Sequence, residues 1–237
     1  MLKLKEIDNV ELLKALLCKS DNCLDVPLLH GTRRYALQIT DDERKRFSTA
    51  CRQVIAFANK YYYSNEIDWD RLSEYHRKVD IQFLSTVVSQ YNRSDFQYGN
   101  IYLTTSFEMA VLFSKYDGGE LGSNAYSQIK GFNAWGIEFD EETKAAAKTV
   151  SEENAKYQES EKVVLVFPGV SLTDLYTRSG RPILMDGSEE DIKETKELYE
   201  DDASFNHQFR LIKPEAYTAY VLGENKFSEA FDFFKEH

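Results

Sequence analysis

Three cysteines in 237 residues, Cys18, Cys23 and Cys51, are too few and too irregularly spaced for a disulfide scaffold or a zinc site. An odd number without metal spacing reads as reduced thiols in a cytoplasmic protein, with no bound metal. No apolar run approaches the roughly 20 residues that span a bilayer, so no membrane contact is expected. The N-terminus, Met1-Leu2-Lys3-Leu4-Lys5-Glu6, lacks the apolar stretch and cleavage site of a secretory leader. Positive charge is also scarce. Against 40 Asp and Glu stand 29 Lys and Arg, a net charge of −11, and broad nucleic-acid binding depends on clustered cations. Arg33-Arg34 with Arg44-Lys45-Arg46 is the one local exception. With neither an internal repeat nor a low-complexity linker, a single domain over residues 1–237 is expected.

What the chain does hold is apolar and aromatic mass. A hydrophobic content of 42% and an aromatic content of 14% belong to a folded globule. Fifteen Tyr and fifteen Phe are many for this length, so some are expected to line a site rather than fill the core.

Along the chain, residues 8–18 read as a short amphipathic helix with Asp8 as N-cap. Thr40-Asp41-Asp42-Glu43 has the capping-box pattern and opens a helix with Phe47, Ala50, Val54, Phe57 and Ala58 on one face. A second helix is expected from Asp68 to about Asn92, its face formed by Trp69, Leu72, Tyr75, Val79 and Phe83. Together these make a helical insertion over about 40–94. Ser106 caps a further helix to about Tyr116, and Asp117-Gly118-Gly119-Glu120-Leu121-Gly122 reads as a flexible turn. Ala134-Trp135-Gly136-Ile137-Glu138-Phe139 reads as a strand, and 140–159, rich in alanine and charge, as a solvated helix. Lys162-Val163-Val164-Leu165-Val166-Phe167 is the clearest buried strand. The acidic stretch 186–202 reads as a solvated loop or helix. Gln208 to Ile212 and Ala216 to Leu222 follow as two strand segments broken at Lys213-Pro214-Glu215, and 227–234 is an aromatic helix or strand.

Three of these pieces carry chemistry. Pro27-Leu28-Leu29-His30-Gly31-Thr32 is a short apolar run ending in hydrogen-bonding side chains beside a glycine. The second is Ile101-Tyr102-Leu103-Thr104-Thr105-Ser106, followed at once by a helical pattern, and the third is His207-Gln208-Phe209-Arg210-Leu211. In their order, these motifs resemble the His–Tyr–Glu signature of the ADP-ribosyltransferase superfamily, on the branch similar to the poly(ADP-ribose) polymerases.

That resemblance implies an α+β fold with an ADP-ribosyltransferase-like split β-sheet core and a helical insertion between the first and second motifs. In the polymerases the insertion is shorter. It implies NAD as co-substrate, with His30 on the adenosine ribose, the Gly31 backbone on the nicotinamide amide and Thr32 in the small hydroxyl position. Tyr102 would stack on the nicotinamide, with Phe113 or Tyr116 on the opposite face and Ser106 offering a hydroxyl. The third motif departs from the family. Gln208 stands where a glutamate is expected, and an amide supplies a hydrogen bond but no negative charge and no general base. Glu215, or Glu189 and Glu190, are the alternative carboxylates. The resemblance thus implies a mono-ADP-ribosyltransferase acting on a protein side chain or a nucleic-acid base, in the manner of a bacterial toxin or effector. A neutralising antitoxin or immunity protein would be its partner. NAD hydrolysis, and an inactive fold kept as a binding module, are the alternatives.

Overall fold

The computed structural model describes residues 2–16, 22–63, 101–177, 180–200 and 208–236. The fold class is α+β, with helices and a seven-stranded mixed open sheet. Chain contacts divide into two compact units where the sequence reads as one domain with an insertion. One is drawn from residues 1–33, 99–115 and 161–237, the other from 34–98 and 116–160.

The second unit is helical among its described residues. Helix α2 (Asp41–Tyr63) starts as its capping box dictates, with Glu43 N–H donating to Thr40 Oγ1 and the Glu43 carboxylate accepting from Thr40 N–H at 2.8 Å. Its Phe47, Val54 and Ala58 pack with Ile129 and Phe132 of α4 (Gly119–Ala134) and with Val150 and Tyr157 of α5 (Glu141–Glu159). The expected turn at 117–122 is therefore largely the first turn of α4. Gly118 adopts φ 74°, and a Cβ there would meet the Phe47 ring at 2.7 Å, so the residue serves both the turn and the packing. The expected strand at 134–139 is not formed. Helix α4 runs through Ala134, and Trp135, Ile137 and Phe139 pack into the helical core from the connection that follows. Aromatic and β-branched residues in a connection mimic a strand when only their composition is read. Helix α5 is capped by Asp140, which accepts from Thr143 N–H at 2.8 Å. It is less solvated than its composition indicates, because Ala146, Ala147, Val150, Asn154 and Tyr157 form a buried face. The helix expected from Asp68 lies outside the described residues.

The first unit carries the sheet, in the order β1 (Lys3–Glu6), β7 (Thr218–Gly223), β4 (Lys162–Phe167), β2 (Leu28–Arg33), β3 (Ile101–Thr104), β6 (Gln208–Leu211) and β5 (Leu175–Thr177). β1 runs parallel to β7, and the other neighbouring pairs are antiparallel. At the N-terminus, the helix expected over 8–18 follows the edge strand β1 and is the shorter α1 (Leu12–Leu16) among the described residues, and Asn9 rather than Asp8 accepts an N–H, from Glu11. β4 lies between β7 and β2, with Val163 to Phe167 fully buried, as its unbroken apolar run requires. Helix α3 (Phe107–Phe113) lies against β2, and Phe107 stacks on Phe234 of the aromatic α7 (Phe227–Glu236). Helix α6 (Glu189–Glu200) forms within the acidic stretch and sets Tyr199 edge-on to Phe209 of β6.

Two segments that are continuous in sequence part company here. β6 pairs with β3 and β5, whereas β7 pairs with β4 and β1, so Tyr217 to Leu222 does not continue the Gln208 strand. Pro214 cannot donate to a ladder, and the Pro214–Ala216 turn carries the chain away. Tyr217 Oη fastens that turn, donating to Asp174 Oδ2 at 2.7 Å while accepting from Ser171 N–H.

No helix among the described residues is long and apolar enough to cross a membrane.

Candidate functional site

β2 is held on one side by β4 over six consecutive register pairs, from Leu28–Phe167 to Arg33–Lys162. On its other side, among the described residues, a single pair, Leu29–Thr104, joins it to β3. The sheet is therefore continuous yet nearly divided, with β1, β7, β4 and β2 on one side of a seam and β3, β6 and β5 on the other.

His30 sits at that seam, one residue past the joining pair. Its Nδ1 lies 2.8 Å from the carbonyl oxygen of Tyr102. A carbonyl only accepts, so Nδ1 carries the proton and donates, and in the neutral ring the lone pair is on Nε2. Burial disfavours the imidazolium and pulls the His30 pKa below its usual 6.5, while the Tyr102 carbonyl acts in the opposite sense. The ring is thus held neutral and in one tautomer, with Nε2 as its acceptor nitrogen.

Gly31 is required here for a reason the sequence does not disclose. A Cβ on Gly31 would fall 1.7 Å from the Ala110 carbonyl oxygen and 2.7 Å from Ser114 N, so helix α3 lies directly on the strand at this point. The close approach is made by the protein's own helix. The backbone N–H and C=O of Gly31 lie in the plane of the sheet, where the residue pairs with Val164 of β4. These point to the same edge of β2 as those of Leu29, two residues earlier. Thr32 is half-buried, on the same face of β2 as His30.

Across the seam, Tyr102 is half-buried in β3. Ser106 caps α3, its hydroxyl accepting from Met109 N–H at 3.3 Å while its own N–H donates to Thr104 Oγ1, so the expected ligand hydroxyl has a structural task. Phe113, the last residue of α3, is half-buried. Gln208 opens β6 and pairs with Thr104, and the next pleat step along these strands pairs Arg210 with Tyr102. His30, Tyr102 and Gln208, which are far apart in sequence, therefore stand on three consecutive strands, with Tyr102 and Gln208 on the face shared by Leu29 and Thr104 and His30 on the opposite face.

The alternative carboxylates are placed elsewhere. Glu215 is exposed in the Pro214–Ala216 turn, past Leu211 and hence beyond the end of β6 opposite Gln208. Glu189 and Glu190 are exposed in the first turn of α6. The carboxylate engaged there is Asp191, which accepts the N–H groups of Met185, Asp186 and Gly187 at 2.8–2.9 Å and is pulled below the usual range by them. Among the described residues, no cluster of His, Cys, Asp or Glu is arranged to hold a metal ion.

Two residues here, Arg210 and Tyr176, have no role in the resemblance. Arg210 pairs with Tyr102 on one side and with Tyr176 of β5 on the other. The alternation Gln208-Phe209-Arg210-Leu211, polar and apolar by turns, was the available signal. Phe209 and Leu211 are buried, and Gln208 and Arg210 face the other way.

No protein-family model matches the chain, and neither a curated protein nor a solved structure is similar enough to it to count as a match.

Proposed function

We propose that the protein is an NAD-dependent mono-ADP-ribosyltransferase whose reaction centre is the seam between β2 and β3. The observation that carries this reading is the fixed neutral tautomer of His30, bonded to the Tyr102 carbonyl where two otherwise paired strands separate. A dinucleotide threading the seam would meet an acceptor nitrogen for a ribose hydroxyl at His30 on one face of the sheet and an aromatic ring at Tyr102 on the other. Those are groups that orient a planar ring and a ribose.

Cleavage of the nicotinamide–ribose bond builds positive charge on the sugar. Gln208 is the residue of the third motif that stands beside this centre, and it acts by hydrogen bonding to the ribose. Without a carboxylate to deprotonate a further ribose hydroxyl, transfer stops at one ADP-ribose unit. The acceptor is a protein side chain or a nucleic-acid base.

Nicotinamide release from NAD, measured with and without cell lysate, tests this. Gln208→Ala is expected to lower release about 10-fold or more with NAD affinity nearly unchanged, because the lost contact acts chiefly in the transition state. Gln208→Glu should retain or raise it, and Glu215→Gln should leave it as it is. Parent protein that binds NAD but releases no nicotinamide would replace transfer with the binding-module reading, and a parent that binds no NAD would sink both.

A further inference from the structure

Beyond the seam, the face of β3, β6 and β5 that carries Gln208 has an order of its own. The opposite face is hydrophobic, with Leu103, Phe209, Leu211 and Leu175 each at most 1% exposed. On the Gln208 face, Tyr102, Arg210 and Tyr176 are directly opposite one another on three adjacent strands, and all three are half-buried. Residues in antiparallel register share a face, with neighbouring Cα atoms about 4.5–5.5 Å apart. The row is thus an arginine set in register between two tyrosines and spanning about 10 Å from Cα to Cα.

The direction of the arginine adds to this. Its Nη1 lies 3.8 Å from where a Cβ on Gly180 would stand. Thr177 pairs with Phe209 and accepts from Gly180 N–H, so Gly180 lies toward the Gln208 end of β6. The cation therefore reaches toward the Gln208 end of β6 on its β5 side, the side away from the seam. In a chain of net charge −11, this arginine is a half-buried cation standing in register with two tyrosines.

We propose that the Tyr102–Arg210–Tyr176 row is a nucleotide subsite, with Arg210 taking a phosphate and the Tyr176 ring lying against a planar base or ring. Guanidinium and phosphate match in planar, forked geometry, and aromatic rings stack on bases whatever their sequence. One chemistry, a phosphate beside a planar ring, is offered by two sources, NAD itself or a nucleotide in a single-stranded acceptor. The subsite goes beyond the transferase reading, since it requires nucleotide binding and not bond cleavage.

The experiment titrates the full-length protein with NAD in one arm and with fluorescein-labelled single-stranded DNA and RNA 12-mers in the other. Parent, Arg210→Gln, Arg210→Lys and Tyr176→Ala are compared, and thermal melting reports the folding of each. The expected result is a loss of about 10-fold or more for Arg210→Gln and a smaller loss for Tyr176→Ala, in at least one arm. Lysine, a point cation without the fork, should recover part of the arginine loss. The arm in which these effects appear names the source. A parent that binds neither NAD nor the oligonucleotides, or folded variants that bind both like the parent, overturns the proposal. Because the readout is binding, failure of the transferase reading leaves a separate signature, namely nucleotide bound at Arg210 with no nicotinamide released.

Discussion

Replacing Gly31 by alanine tests how tightly α3 is seated on β2. The added Cβ would fall 1.7 Å from the Ala110 carbonyl oxygen, whereas Cβ contacts under 3.0 Å essentially do not occur. The difference of 1.3 Å must come from backbone, because Ala110 O, Ala110 C and Ser114 N are all main-chain atoms. A flexible side chain would swing aside, but a helix has to lift or slide. Ala110 is fully buried in a cluster with Leu29, Phe107, Val164 and Phe233, so lifting α3 opens that packing. Overpacking of this kind costs about 1–3 kcal/mol, and the stiffer unfolded chain of alanine returns only about 0.4–1 kcal/mol. For a protein of this size each kcal/mol lowers Tm by about 2–4 °C. Gly31→Ala should therefore melt several degrees below the parent, with the same loss seen in urea unfolding. A variant as stable as the parent would refute the reasoning. If that stable variant also lost NAD binding, the glycine would be serving a ligand and not the helix.

Two further perturbations concern protons. Since His30 is held below its ordinary pKa in the folded state, the unfolded chain binds the proton more readily. Its contribution to stability is present above about pH 6.5 and is lost as pH falls through the lower folded value. An NMR titration of the imidazole should give a pKa under 6.5, and NAD affinity should weaken on the same acid limb as Nε2 ceases to accept; a value at or above 6.5 would contradict the seam geometry. At the other extreme, burial and the Asp174 carboxylate push the Tyr217 hydroxyl up to about 12. A raised folded value means stability that is full below about pH 10 and is lost as pH climbs toward 12. Tyr217→Phe should destabilise the protein by about 1 kcal/mol at neutral pH, by removing one hydrogen bond to a partly shielded carboxylate. It should also flatten the alkaline loss between pH 10 and 12, measured as urea midpoints against the parent.

Where local signals act alone, sequence and structure agree. Thr40 and Glu43 open α2, Asp140 caps α5, and the run from Val163 to Phe167 is buried in the sheet, because each depends on neighbours in the chain. Trp135, Ile137 and Phe139 misled because their apolar weight is used against α2 and α4 from a connecting segment, which periodicity cannot reveal. Arg210 escaped notice for a similar reason. Its place between two tyrosines comes from pairings with residues 102 and 176, and no local pattern encodes them. Gly31 was singled out as a glycine, but its cause is a helix some 80 residues later in the chain.

The strand order also bears on how the molecule comes into being. β1, beginning at Lys3, pairs with β7 at Thr218, so the first strand made must wait for nearly the last. β2 gains β4 only after residue 162 is in place, and β3 gains β6 only after residue 208 is in place. Contacts so distant along the chain demand loop closure before they return any stabilisation, which makes folding slow. A nascent chain halted near residue 200 would carry β4 without its β7 neighbour and β3 without β6, leaving apolar strand edges open. During synthesis such edges are the hazard, so this fold places its heaviest demand on whatever shields unfinished chains in the cell, and a C-terminal truncation removing β7 would aggregate rather than persist as a smaller domain.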